Sequence, residues 1–212
     1  MLPTIADYTL PAAAREPDNR VQWNVDPSRA MLLVHDMQQY FIDAYGDEST
    51  VAERTIGNIR RLRSAAESAS VPVCFTAQPP KQDPSERGLL WDFWGPGIQD
   101  DGRHAIIDSL GPVDDADVIT KWRYDAFVRT DLATRLRDAG RDQLVVTGVY
   151  AHIGCLMTAT SAFMHDIQPF LIADATADFS ADHHAMALQY AADRCAVVTD
   201  TDSVEARFLG AV

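Results

Sequence analysis

Cysteine is scarce in this chain: three in 212 residues, at positions 74, 155 and 195. An odd number scattered through apolar segments builds no disulfide framework, and a reducing cytoplasm is the expected compartment. No apolar run approaches the roughly 20 residues that span a bilayer. The opening Met1-Leu2-Pro3-Thr4-Ile5-Ala6-Asp7 has neither the basic nor the continuous apolar stretch of a secretory signal, so none is expected. Positive charge is short as well. Eighteen Lys and Arg against 31 Asp and Glu leave a net charge of −13, a field that repels nucleic acid and acidic membrane and excludes both as partners. An anionic ligand would need local basic groups to overcome it. Metal-ligand spacing is also missing, since the histidines at 35, 104, 152, 165, 183 and 184 form no H-E-x-x-H or paired Cys/His set. There is no P-loop, Gly95-Pro96-Gly97 lacks the third glycine of a dinucleotide fingerprint, and no G-x-S-x-G elbow occurs. Composition alone leaves a Ser-His-Asp triad open.

What is present fits one compact domain. An apolar fraction of 47% and a charged fraction of 23% are ordinary for a globular protein. Residues 1–28 are polar and marked by Pro3, Pro11, Pro17 and Pro27, and are expected to lie as an arm over a domain spanning 29–212. Apolar runs then alternate with helical patterns. Strands are expected at 30–35, 71–76, 117–120, 143–147, 169–173 and 196–199, and helices at 50–69, 130–139, 152–166 and 181–192. Ser180 suits an N-cap, and Gly140 suits the position just past a helix end. Near-continuous apolar strands separated by helices imply an α/β fold: a three-layer α/β/α single domain, Rossmann-like, around a mostly parallel sheet of about six strands. Residues 77–116, rich in Pro, Gly and Trp, form a long irregular segment of the kind that carries function.

In such a sheet, ligands bind at the carboxyl ends of the strands, where backbone N–H groups of helix starts point at the incoming group. Three stretches converge there. Asp36 follows the first strand, Lys121 follows the third, and Gly148-Val149-Tyr150-Ala151-His152-Ile153-Gly154-Cys155 runs from a strand into a helix start. Taken singly, Asp36 reads equally as a helix N-cap, and Lys121 reads as a solvated loop charge. Their agreement on one sheet edge raises both. Trp91, Phe93 and Trp94 serve either as the loop's own core or as a pocket wall, and His183-His184 reads as an exposed first helical turn.

Leu33-Val34-His35-Asp36-Met37-Gln38, Thr76-Ala77-Gln78-Pro79, Phe93 to Gly97, Thr120-Lys121-Trp122-Arg123-Tyr124, Gly148 to Gly154 and Ala177-Asp178-Phe179-Ser180 carry a specific resemblance. Along nearly its whole length the chain resembles the isochorismatase family. The likeness is to the isochorismatases of catecholate siderophore pathways and to the phenazine-pathway hydrolase of 2-amino-2-deoxyisochorismate. The resemblance implies a vinyl-ether hydrolase that releases pyruvate by protonating the enolpyruvyl methylene. The products would be 2,3-dihydro-2,3-dihydroxybenzoate from isochorismate, or trans-2,3-dihydro-3-hydroxyanthranilate from the amino analogue.

The same resemblance implies the roles. Asp36 is the general acid, with Lys121 orienting the enolpyruvyl group and offsetting charge. Gln78 and Arg87 hold the small anionic, chorismate-derived substrate, Trp94 walls off water, and Tyr150 with the Gly154 N–H receives a carboxylate. No metal or cofactor is implied, and a non-proline cis peptide near Val149-Tyr150 is. A homodimer is implied too, with a carrier protein or pathway enzyme as a further partner. Cysteine hydrolases of the wider superfamily, such as nicotinamidases, place their nucleophile at the position of Gly154, whereas this chain's cysteine stands one residue later. Neighbouring side chains on a helix lie about 100° apart, so Cys155 is expected to point away from Asp36 as a buried small hydrophobe. Two rival readings remain: a cysteine-type amidohydrolase, and a catalytically idle scaffold that docks a carrier protein.

Overall fold

Side-chain alternation organises the sheet. In this computed structural model, which describes residues 2–11 and 17–211, six strands pair in the order β3-β2-β1-β4-β5-β6, all parallel. They are β1 Ala30–His35, β2 Val73–Ala77, β3 Val118–Thr120, β4 Gln143–Val149, β5 Gln168–Ala177 and β6 Val197–Thr199. On β1, Leu32 and Val34 face one core while Met31 and Leu33 face another. On β4, Val145 and Val149 join the first core, and Leu144 and Val146 join the second. Strands apolar on both faces need cover on both faces.

The first core is closed by the helices Thr50–Ser68 and Thr201–Phe208, and the second by Leu132–Asp138, Leu156–Met164 and Ala181–Arg194. The helix Thr50–Ser68 buries Val51, Thr55, Ile59, Leu62 and Ala66, a stripe at helical spacing. Ser49 caps it, its hydroxyl accepting from the Ala52 N–H at 3.3 Å. Asp7 adds to that cap from the N-terminal segment, accepting from the Ser49 hydroxyl and the Val51 N–H. The same segment binds Ala44 O through the Ile5 N–H and buries Leu10. The Asn19 amide pairs with both backbone groups of Val198, covering the edge strand β6.

Several boundaries differ from expectation. β4 runs on to Val149, and β5 spans ten residues to Ala177. Asp174 does not end β5, because its carboxylate accepts from the Thr201 N–H and hydroxyl and from Asn58. The expected helix 152–166 begins as a π-turn, Ala151–Cys155, in which the Cys155 N–H reaches back to Tyr150 O, and continues as α-helix over Leu156–Met164. The helix Thr201–Phe208 was not anticipated; Asp200 caps it through the Ser203 N–H at 2.7 Å. The irregular middle segment holds short helices at Pro84–Arg87 and Leu90–Trp94. Of the histidine pair, only His183 is exposed. His184 is buried against Tyr8 and Thr176. Among the described residues, no helix is long and apolar enough to cross a membrane.

Candidate active site

Strand order reverses between β1 and β4, and the crevice beyond their carboxyl ends is where an open α/β sheet binds ligands. Asp36 leaves β1 at φ 50°, a left-handed conformation that aspartate tolerates better than most residues. Its N–H donates to Thr76 Oγ1 at 3.0 Å, and that hydroxyl donates back to Asp36 Oδ1 at 2.5 Å. β2 therefore holds both ends of the residue. Lys121, arriving from β3, places Nζ 2.8 Å from Asp36 Oδ2, and Gln78 Nε2 donates to the same oxygen at 3.2 Å. Asp36 is 3% exposed and Lys121 1%.

Burial pushes the Asp36 carboxyl up, but the Lys121 ammonium, His35 and the hydrogen bonds from Lys121 and Thr76 outweigh it and hold the group below its ordinary value. The empty site therefore keeps a carboxylate. Beside it, burial lowers His35 to about 4, so the imidazole is neutral at pH 7. His35 Nδ1 lies 2.8 Å from Val149 O. A carbonyl can only accept, so that nitrogen carries the hydrogen.

These groups form one end of a pocket beyond the carboxyl ends of the strands. Its walls are largely aromatic and aliphatic: Tyr40, Phe41, Leu90, Trp94, Tyr150 and Phe179. Arg87, 3% exposed and also part of the lining, donates from Nε to Gly95 O at 2.5 Å. Its guanidinium lies across Gly97, where a Cβ would stand 2.4 Å from Nη1. Among the described residues that Nη1 has no hydrogen-bond partner. A buried guanidinium with unspent donors at a pocket wall is a receptor for a carboxylate.

All seven residues expected from the sequence line this pocket, and the protein's own contacts engage polar groups on several of them. Lys121 directs its three donors to Asp36, Arg123 O at 2.8 Å and Tyr124 O at 3.3 Å, which makes it the counter-charge of the acid. The Tyr150 hydroxyl donates to Phe41 O at 2.8 Å; its ring, not its proton, faces the pocket. Gln78 turns its amide N–H to Asp36. Gly154 has the His35 imidazole along its Cβ direction, where a Cβ would lie 2.1 Å from Cε1. Arg87 and Asp36 stand where expected. Trp94, half-buried, donates from Nε1 to the Tyr124 hydroxyl at 2.6 Å.

The Val149–Tyr150 peptide is cis. Cys155 is fully buried in the second core, outside the pocket lining, with Sγ 4.0 Å from Thr147 O. Burial raises its thiol well above the ordinary value, the opposite of what a nucleophilic cysteine needs. Sequence reasoning passed over Thr76, His35, Tyr124 and Phe179. His35 directly precedes the acid at the end of a buried strand, and that adjacency was the one available signal.

The isochorismatase domain family matches residues 30–203. The chain is 50% identical over 204 residues to the isochorismatase of Bacillus subtilis strain 168, covering 96% of this chain and 65% of that longer protein. It is 48% identical over 204 residues to the phenazine biosynthesis protein PhzD of Pseudomonas fluorescens, covering 96% of this chain and 98% of that one. Among solved structures, a cysteine hydrolase from Pseudomonas syringae pv. phaseolicola superposes with a TM-score of 0.82 at 26% identity, over 93% of this chain and 100% of the other. The scaffold is thus shared with a cysteine hydrolase. The chain belongs to the isochorismatase family.

Proposed function

We propose that this protein is a vinyl-ether hydrolase that releases pyruvate from isochorismate or 2-amino-2-deoxyisochorismate, in siderophore or phenazine-type biosynthesis, with Asp36 as general acid. The observation that carries the reading is a buried carboxyl, held by Thr76, Gln78 and Lys121, in a mostly apolar pocket whose lining also includes an arginine with an unpartnered Nη1. The Asp36 proton passes to the terminal methylene carbon, forming a C–H bond from the alkene electrons and leaving an oxocarbenium ion at the ether carbon. Water adds to that carbon and loses a proton. The resulting hemiketal then breaks its bond to the ring oxygen, giving pyruvate and a ring alcohol. No side chain bonds to the substrate. Arg87 receives a substrate carboxylate, and the aromatic walls keep bulk water from the cation.

With its pKa below the ordinary value Asp36 is ionised at pH 7, so the proton enters with the substrate, whose carboxylates raise the acid once bound. The test is a coupled pyruvate assay with each compound offered separately, with Asp36→Ala alongside. Pyruvate from at least one compound and none from the variant is expected; none from either compound overturns the reading. A cytoplasmic homodimer, with residues 1–28 as an arm on the domain 29–212 and a carrier protein or pathway enzyme as partner, belongs to the same proposal. Light scattering showing a monomer would remove the dimer from it.

A further inference from the structure

We infer that His35 and Gly154 form an interlocked pair that fixes the reaction class of this pocket: while the imidazole is in place, residue 154 can present no side chain to substrate. Both residues line the pocket beside Asp36. A Cβ built on Gly154 would meet His35 Cε1 at 2.1 Å, Nε2 at 2.7 Å and Nδ1 at 3.0 Å. Contacts this short are forbidden, so the ring or the turn would have to move. The ring has nowhere to go. It is fully buried, and Nδ1 is bonded to Val149 O at 2.8 Å. Its backbone is pinned by β4 as well, since a Cβ on Gly148 would lie 2.1 Å from His35 O.

The turn is equally fixed. The His152 N–H donates to the buried Asp178 carboxylate at 2.7 Å, and the Cys155 N–H reaches Tyr150 O at 3.3 Å. His35 thus takes the volume from which any nucleophile on residue 154 would start. His35 is a specificity-determining, positioning residue that acts through position 154. Only the kinetic consequence rests on the ether-hydrolase reading; the steric exclusion stands without it.

The test is a thermal double-mutant cycle with a thiol probe. Asn at position 35 supplies a donor near Nδ1 but lacks the Cε1–Nε2 edge, so His35→Asn removes the obstruction and keeps the bond to Val149 O. Gly154→Ala in the native background is expected to lower Tm by about 4–10 °C, as overpacking of a full site does. The same change in the His35→Asn background is expected to cost less than about 2 °C. For the probe, Gly154→Cys with His35 in place gives a protein that either melts early or resists iodoacetamide. Combined with His35→Asn it is alkylated once, at 154, while Cys74, Cys155 and Cys195 stay unmodified. Should His35→Asn fold poorly, His35→Ala closes the same cycle. Equal Tm losses in both backgrounds, or ready alkylation of Gly154→Cys at native Tm with His35 present, would overturn the inference. Pyruvate release by the unmodified protein is measured separately, so failure of the ether reading and failure of the steric pair are distinguishable.

Discussion

Replacing Lys121 with methionine keeps the length of the side chain and removes its charge from beside Asp36. The ammonium lies 2.8 Å from Asp36 Oδ2, and both residues are almost fully buried. Stripping one partner from a buried pair leaves an uncompensated charge and costs about 3–5 kcal/mol. For a chain of this size that is a Tm loss of roughly 10–15 °C. The loss depends on pH with a definite sign. In the native protein the folded pKa of Asp36 lies below the unfolded value of 3.8. Its stabilising contribution is therefore complete above 3.8 and is lost only as pH falls through the lower folded value, so it is flat from pH 5 to 8. In Lys121→Met, burial acts without the ammonium and lifts the folded pKa above the unfolded one. The penalty is then absent below the unfolded pKa. It grows by about 1.4 kcal/mol per pH unit until the raised folded pKa is reached. Differential scanning fluorimetry of both proteins from pH 5 to 8 should show the Tm gap widening by about 3–5 °C per unit over that rise. A gap that is constant, or narrower at high pH, would refute the assignment of Lys121 as the counter-charge of Asp36.

Other outcomes follow from the same geometry. The free site holds Asp36 below the ordinary carboxyl range, so kcat/KM should fall about tenfold per pH unit between pH 6 and 8; a profile flat across that range would assign the proton to another group. Arg87→Ala removes the guanidinium with the unpartnered Nη1; KM should rise about 10–100-fold, the worth of a charge-assisted hydrogen bond, and an unchanged KM would exclude Arg87 from substrate binding. Cys155→Ser should leave kcat/KM within about twofold, since the thiol is buried outside the pocket with its pKa raised. Loss of turnover in a protein of native Tm would restore the thiol mechanism.

The sheet was legible because its strands are apolar on both faces and end in charged residues. Leu32-Leu33-Val34-His35-Asp36 shows both features within five residues. β5 was read too short because Asp174 looks like a terminator. Its carboxylate is satisfied by Thr201, 27 positions away, a pairing that no local pattern reveals. The expectations at Asp36 and Lys121 rest on strand-end position together with family resemblance, and that at Arg87 on the resemblance alone. What they bond to was not legible in the sequence. The three donors of Lys121, the Tyr150 hydroxyl on Phe41 O and the imidazole over Gly154 are all contacts between distant segments. Those contacts decide whether a polar group is free for substrate or already spent, so role assignment was the part that needed coordinates.

The central claim is that a proton is delivered to carbon and water attacks the ether carbon, and isotope tracing tests it most directly. Turnover in deuterated, oxygen-18 water, with pyruvate trapped at once as lactate, should place one deuterium in the methyl group and no heavy oxygen on the ring alcohol. Oxygen-18 on the ring, or a methyl group without deuterium, would contradict it.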